Sequence, residues 1–515
     1  MNLGIDLGTS RTVVAAGDRG NYPVVRFRTP AGDWCDWFPS LIGWVGSEYR
    51  FGFAAASLPS LDGRTGLWRS FKRDLGRCAP DDRLSELPGT PTPLELLTRY
   101  LASLRQALEH QSDLAAVPAT CTVIVSVPAG ANSNQRFLTL EAFRRAGFPV
   151  SAVMHEPSAA GLEYTQRQLL TRSRRSPREW LAVYDLGAGT FDASVIAICG
   201  GDHAVLASEG IDRLGGDDFD EILLDLAMQT NGLPPPGGER EQICLLRECQ
   251  QAKERLGPHR KKVFLDFSEV YPEAGEVTVP VPLFYEACQP SIRRTLTALE
   301  RAIEGASSGG EDPATLLAAI YLTGGSSDFP PIEWLIREKY GRRVRKSPYP
   351  HAATAIGLAV AADHEAGMGV RDRLSRNFGV WREEDGGRRK VIDLIFSSDT
   401  PITPGSPAAT VLRRYHPTHN VGHFRFQEFS SLGANGLPTG NVSLWSEIFF
   451  PFDPALRDET GLGAESVRPA PHLARQVIEE TYTCDLAGEI RVEIANRTAG
   501  YSRSYSLRPT RPPVP

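Results

Sequence analysis

The spacing of apolar residues divides the chain near Gly367. Before it, short apolar strands alternate with stretches of helical period. Leu3–Val14 (LGIDLGTSRTVV) and Leu181–Val195 (LAVYDLGAGTFDASV) each read as a strand that ends in Asp-Leu-Gly, turns through small or hydroxyl residues and returns as a second strand. Cys121–Val127 (CTVIVSV) has the near-continuous apolar character of a buried strand and stops at Pro128. Helical spacing runs over 93–111, with Thr92 and Pro93 as start signals, and over 133–146, 241–256, 283–305 and 352–366. Val150–Met154 is a strand that leads at Glu156 into a helix of small residues, and Ile320–Ser326 gives strand, Gly-rich turn, helix. This alternation predicts an α/β architecture over residues 1–366. GMGVRDRL (367–374) reads as a linker, and beyond it helical periodicity largely disappears. Short strands are predicted at 391–396, 409–414, 422–429, 442–449, 476–484, 489–495 and 500–507, parted by turns such as Pro401–Pro407 and Asp485–Gly488. That is the pattern of an all-β sandwich over 375–507, with a Pro-rich tail at 508–515.

The turns Asp6-Leu7-Gly8 and Asp185-Leu186-Gly187 suggest an internal duplication, with two similar lobes facing each other. Small residues let backbone N–H groups approach phosphate oxygens, and an Asp at each strand end can hold a hydrated divalent cation, best Mg2+. One such turn is ordinarily just a hairpin. Two at matching strand ends favour a nucleotide cleft. No G-x-x-x-x-G-K-[ST] segment occurs, so the cleft is not of the P-loop type.

Charge and cysteines narrow the classes. A net charge of −6, from 56 Lys and Arg against 62 Asp and Glu, supplies no basic field for nucleic acid. The cysteines at 35, 78, 121, 199, 244, 249, 288 and 484 form no CxxC pair and show no metal-ligand spacing, which fits reduced, buried thiols. The chain enters a strand at once, without a signal peptide, and no apolar run reaches the ~20 residues that span a bilayer. A soluble cytoplasmic protein with no membrane partner is expected. His416, His419 and His423 have a zinc-like spacing but no fourth ligand, so a solvated loop is the preferred reading. The Trp-rich 34–44 stretch is expected in the core or a lobe interface, and 172–178 as a solvated basic loop.

Taken in order, GIDLGTS (4–10), FPS (38–40), FKRDLGR (71–77), VSVPA and NSNQR (125–136), HEPSAAGLEY (155–164), YDLGAGTFD (184–192), LGGDDFD (214–220), CQQAKERL (249–256) and LTGGSSDFPPI (322–332) resemble the 70-kDa heat-shock chaperones, the DnaK family. Single phrases are shared with actin and sugar kinases; the KR-x-x-GR phrase, LGGDDFD and the β domain are not. The resemblance implies an actin-like two-lobed ATPase domain, a linker and a peptide-binding-like β sandwich. It implies ATP and Mg2+, with K+ as a further candidate ion. Gly8, Thr9 and Ser10 match one phosphate loop and Gly187, Ala188 and Gly189 the other. Asp6 and Asp185 match the carboxylates that hold Mg2+ through water, and Lys72 the catalytic lysine. Glu156 matches the acid that helps place metal and attacking water; Thr190 and Asp192 match the groups beside that water. Gly215, Gly216, Lys253, Gly324, Gly325 and Ser326 match further nucleotide contacts, and Pro128 and Arg136 a relay towards the β domain.

Departures cluster away from the phosphates. Where the family stacks two arginines on adenine, this chain has Glu254 and Asp328; Gln250, Gly257 and His351 are neighbouring changes, whereas Lys253 is retained. Weaker ATP binding or a different purine preference is expected. Ala188 stands for a third glycine and is strained only if its φ is positive. Val370-Arg371-Asp372-Arg373-Leu374 carries three charges where the family linker is apolar, which puts domain coupling in doubt. VIDLIFSSDTPITP (391–404), FRFQEF (424–429) and TCDLAGEIRVEI (483–494) fall in family order in the sandwich, and no helical lid is expected after it. The leading expectation is an ATP-hydrolysing chaperone-like protein whose nucleotide state biases binding of unfolded peptide or one dedicated partner. A J-domain co-chaperone and an exchange factor are implied by family. The second reading is a nucleotide-sensing partner-binding module with little or no turnover and altered base preference. The third is an actin-like small-molecule kinase, opposed by Lys72-Arg73 and the β domain.

Overall fold

The computed structural model describes residues 2–58, 65–73, 78–79, 82–114, 121–169, 179–257, 259–307, 312–374, 376–384, 388–398, 400–402, 408–433, 435–485 and 488–507. Asp74 to Arg77 of the FKRDLGR phrase, the basic stretch 172–178, most of the 401–407 turn and the 508–515 tail lie outside the described residues. The chain forms two compact units: residues 1–76, 81–130 and 139–370, and residues 77–80, 131–138 and 371–515.

In the first unit each Asp-Leu-Gly hairpin seeds a sheet. One sheet contains β1 (Asn2–Leu7), β2 (Arg11–Gly17), β3 (Phe38–Pro39), β4 (Thr122–Val127) and β5 (Val150–His155), in the order β5-β4-β1-β2-β3. The other has β6 (Glu179–Leu186), β7 (Phe191–Cys199), β8 (Asp202–Ile211), β9 (Leu317–Thr323) and β10 (Val344–Lys346), in the order β10-β9-β6-β7-β8. β1 runs antiparallel to β2 and parallel to β4, and β5 is parallel to β4. β6 repeats this with β7, β9 and β10. The expected duplication is therefore visible as one topology used twice, and the parallel pairs are joined through helices as such pairs require.

Among these helices, α1 (Pro93–His110) starts on a capping box in which Thr92 and Glu95 satisfy each other's backbone amides. Also in this unit are α2 (Glu156–Leu169), α3 (Gly216–Asn231), α4 (Glu239–Glu254), α5 (Val281–Ala306) and α6 (Ala353–Ala362). The apolar faces of α3 and α5 cover the second sheet around Trp180, Tyr184, Phe191, Phe219 and Phe284. Helix α6 is shorter than the 352–366 expectation. It stops at Asp363, whose carboxylate caps a 3-10 turn ending at Gly367 in the left-handed region. Its small residues are needed by contact: a Cβ on Gly357 would lie 1.7 Å from the Ala159 carbonyl oxygen of α2.

The second unit is an antiparallel sandwich. Its strands are β11 (Asn377–Glu384), β12 (Arg389–Phe396), β13 (Ala409–Tyr415), β14 (Val421–Leu432), β15 (Pro438–Pro451), β16 (Ile478–Cys484), β17 (Ile490–Asn496) and β18 (Tyr501–Ser506). The sheets are ordered β12-β11-β14-β15 and β13-β16-β17-β18. Phe378, Phe426, Trp445, Phe450 and Tyr482 are among the residues filling the space between them. In the stretch read as a linker, Gly369–Arg373 forms a strand, and Asp372 and Arg373 pair with Ile402 and Pro401. Residues 131–138 belong to this unit, and the Ser133 amide and hydroxyl donate to buried Glu428, whose carboxyl burial pushes up.

A charged group crosses the sandwich interior. Arg382 of β11 donates to both oxygens of fully buried Glu480 on β16, at 2.8 and 2.5 Å. The hydroxyls of Tyr415 and Tyr482 donate to the same carboxylate, and Asp393 lies 3.4 Å from the guanidinium. A buried carboxylate is tolerated only with its lone pairs filled, as here. Glu480→Ala leaves the Arg382 charge with only Asp393, and is expected to cost about 3 kcal/mol, read as a lowered transition in scanning calorimetry of the full chain. The double change Glu480→Leu with Arg382→Met is expected to recover most of that loss.

Candidate functional site

Both hairpins and the loops facing them line one cavity of about 460 Å³. Strand β1 delivers Asp6 to its end, and the turn Gly8-Thr9-Ser10 follows; β6 delivers Asp185, followed by Gly187-Ala188-Gly189-Thr190. Asp185 sits opposite Asp192 in the hairpin register. The loops approach closely. Gly324, with φ of 80°, would place a Cβ 2.3 Å from the Leu186 carbonyl oxygen, and one on Gly215 would lie 2.3 Å from the Ala188 oxygen. Among the described residues positive φ outside glycine occurs only at Arg19, Ser70 and Thr90. Ala188 is thus unstrained, and that departure is mild.

Ser70, one of these left-handed residues, turns the chain into a 3-10 segment that brings Lys72 inward. The Lys72 ammonium donates to Glu156 at the start of α2 over 2.5 Å, both side chains being buried. Asp6 accepts from the Ser126 hydroxyl at 2.7 Å, and Asp192 from the Gly130 amide at 3.4 Å. Arg73 ties the Gly189 carbonyl to Asp218, which caps α3 through the Gly215 amide. Lys253 donates to the Gly216 carbonyl and pairs with Asp220 at 2.7 Å.

Asp6, Gly8, Thr9, Ser10, Lys72, Glu156, Asp185, Gly187, Ala188, Thr190, Gly216, Lys253, Gly324, Gly325 and Ser326 all line this cavity; Asp192, Gly189 and Gly215 are not among its lining residues, but Asp192 is paired with Asp185, Gly189 packs beside Thr9 and Gly215 against Ala188. Sequence reasoning missed Arg11, Trp37 and Asp217, which also line it. Arg11 follows a phosphate-loop phrase and Trp37 lies in the Trp-rich stretch, so each had a local signal but no visible partner. Glu254 pairs with Arg11 at 2.6 Å, Asp328 with Lys346 at 2.5 Å, and Gln250 accepts from Arg69 at 2.6 Å.

Burial and the neighbouring Glu156 charge push the Asp6 carboxyl up to about 6 and Asp192 to about 7, and hold Asp185 well above the carboxylate range. Burial alone would lower Lys72, but Glu156 and Asp6 hold its ammonium above the ordinary range. Four carboxylates thus share one lysine, an excess of negative charge that a divalent cation offsets. Among the described residues no three His, Cys, Asp or Glu form a ready cage. Mg2+ does not need one, because it keeps several waters and takes one or two carboxylates plus phosphate oxygens. The donor set fits Mg2+, which Asp6 and Asp185 would hold. The sign of the pH effect follows from the raised values: a carboxyl raised in the fold favours the folded state below its unfolded value near 4 and loses that contribution as pH rises through 6–7. Because the metal needs the ionised form, added Mg2+ is expected to raise the melting temperature more at pH 7.5 than at pH 5.5 and to release protons, read by calorimetry in two buffers.

His416 pairs with the Gln476 carbonyl, His419 with Thr418 and His423 with Glu447, so the three imidazoles face separate partners. No helix among the described residues is long and apolar enough to cross a membrane.

The family model for Hsp70 protein matches residues 90–374, which run from α1 past the whole second sheet. The chain belongs to the Hsp70 family. It is similar to the chaperone protein HscA homolog of Haemophilus influenzae (strain 86-028NP), with 27% identity over 540 aligned residues that cover 99% of this chain and 77% of the relative. Its similarity to the HscA homolog of Aliivibrio fischeri is 29% over 99% of the chain and 78% of that protein. With chaperone protein HscA of Cronobacter sakazakii it shares 31% identity over 376 residues, 70% of this chain and 57% of that one. The chain is thus a DnaK-like member of a family of ATP-binding chaperones, and its mixed α/β content is that of the family.

Proposed function

We propose that this Hsp70-family chain hydrolyses ATP with Mg2+ in the cavity of its first unit, with K+ as a further ion, and that the nucleotide state biases binding of unfolded peptide or one dedicated partner by the β sandwich. The observation that carries the reading is the buried Lys72–Glu156 pair among Asp6, Asp185 and Asp192, facing two glycine-containing turns across one cavity. In this reading Gly8, Thr9, Ser10, Gly187 and Gly189 offer backbone and hydroxyl donors to the phosphates. Lys72 keeps a fixed positive charge where the γ-phosphoryl oxygens gather charge in transfer. Glu156, Thr190 and Asp192 orient the attacking water, whose oxygen bonds to phosphorus as the bond to the β-phosphate oxygen breaks; a carboxylate takes its proton. Bound Mg2+ offsets charge on the phosphate oxygens. A J-domain co-chaperone and an exchange factor are proposed as partners.

A second reading is favoured by one observation. At the two positions where the resemblance calls for stacking arginines, the carboxylates Glu254 and Asp328 are held in ion pairs with Arg11 and Lys346, so base recognition here departs from the family's. It makes the chain a nucleotide-sensing partner-binding module with little turnover. Phosphate release with Mg2+ and ATP, with and without an unfolded peptide, tests both. Turnover raised by peptide is expected. Binding without turnover selects the second reading, and no binding of nucleotide removes both.

A further inference from the structure

Beyond the carboxylates, the cavity continues to an end built from β2, α4 and the 36–37 segment. The Arg11 guanidinium lies 4.2 Å from the centre of the Trp37 ring and donates to Glu254 of α4 at 2.6 Å. Glu254 also accepts from Gln250, Asp328 is held by Lys346, and Asp36 by His351 at 2.8 Å. The two carboxylates that line this end, Glu254 and Asp328, are thus each held in an ion pair, and Arg11 and Lys346 compete with a ring edge for them. Arg11 and Trp37 instead offer flat surfaces in the cavity wall. A guanidinium fixed at one end by a carboxylate and backed by an indole is a stacking platform with little freedom left to lose.

We infer that Arg11 is the residue that recognises the nucleoside half of the ligand, by stacking on the face of its ring, and that the cleft therefore accepts purine nucleoside triphosphates with little regard to base. The inference rests on the proposed function, which puts the phosphates at the carboxylate end. Stacking tolerates any base because every base has a π-face, whereas discrimination requires hydrogen bonds to base edges. Arg11 also joins the two sheets' sides of the cavity through Glu254, so the platform is complete only when that pair is made.

The test is a titration of the full chain, with Mg2+, by ATP, GTP and inorganic tripolyphosphate, repeated on Arg11→Ala and Arg11→Lys. ATP and GTP are expected to bind the unaltered chain within about threefold of each other. Arg11→Ala is expected to weaken both by about tenfold or more and to leave tripolyphosphate unchanged, which also shows that the variant is folded. Arg11→Lys keeps the charge without the plane and is expected to remain weakened; it serves alone if Arg11→Ala does not fold. Unchanged or tighter nucleotide binding in either variant overturns the inference, as does a preference above tenfold for one purine. Weaker tripolyphosphate binding in a folded variant overturns it too, because Arg11 would then act on phosphate. Failure of the unaltered chain to bind tripolyphosphate and nucleotides alike removes the proposed function and this inference together, whereas tripolyphosphate binding with nucleotides indifferent to Arg11 removes the inference alone.

Discussion

Lys72→Ala is expected to lower phosphate release from ATP by about 10²–10³-fold while Mg2+-nucleotide binding survives. The size follows from where the ammonium sits. It is buried, held at 2.5 Å by Glu156, and surrounded by Asp6, Asp185 and Asp192, so it is preorganised and poorly screened. Under the proposed hydrolysis, removing it takes away the charge that faces the transferring group, and it leaves Glu156 without this partner. The carboxylates then repel one another more strongly, and the variant is expected to depend more steeply on Mg2+ for its melting temperature. Lys339→Ala, which breaks the exposed pair with Glu300, is the matched control and is expected to change neither quantity. A fall of less than tenfold in Lys72→Ala would remove the lysine from the chemistry.

Gly357→Ala is expected to destabilise the fold by at least about 3 kcal/mol, near the upper end of ordinary overpacking. The added methyl carbon would sit 1.7 Å from the Ala159 carbonyl oxygen and 2.4 Å from its carbonyl carbon, so no side-chain rotation relieves it. Helix α6 cannot retreat freely, because a Cβ on Gly4 of β1 would already lie 2.3 Å from the Ala355 oxygen on its other flank. The helices α2 and α6 must therefore part. Glu156 opens α2, so the displacement reaches the Lys72 pair as well. A melting temperature lowered by roughly 6–12 °C, or insoluble protein, is the expected result. Gly257→Ala, with nothing within 4 Å and no left-handed backbone, is expected to be neutral. A shift below about 2 °C in Gly357→Ala would show that the two helices have slack.

What was legible in the sequence was local. The hairpins at Asp6 and Asp185 announce themselves because strand period and a glycine-bearing turn fall within fifteen residues. The start of α1 was legible because Thr92 and Pro93 act on their own turn. Strand β11 was missed. Its end, Arg382, Glu383 and Glu384, shows no apolar alternation, yet Arg382 points inward to Glu480, 98 positions away. Gly369–Arg373 read as a linker for the same reason, since a two-residue pairing with 401–402 leaves no mark on local polarity. At the site, Glu254 and Asp328 stood out as departures from a familiar phrase. Their partners Arg11 and Lys346 did not, because nothing in a linear pattern reports which side chains meet, whether 243 positions apart as for Arg11 and Glu254 or on neighbouring elements as for Lys346 and Asp328.

Trp37 gives the protein a built-in lamp. The indole stands in the cavity wall with Arg11 over its face and the His351 ring 6.3 Å away at its edge. The emission of an indole depends on what touches it, and a ligand settling into this cavity changes that for Trp37 directly. Occupancy is therefore open to observation in unlabelled protein, by the colour and intensity of its own ultraviolet glow. The tryptophans elsewhere in the chain provide the steady background against which one residue flickers.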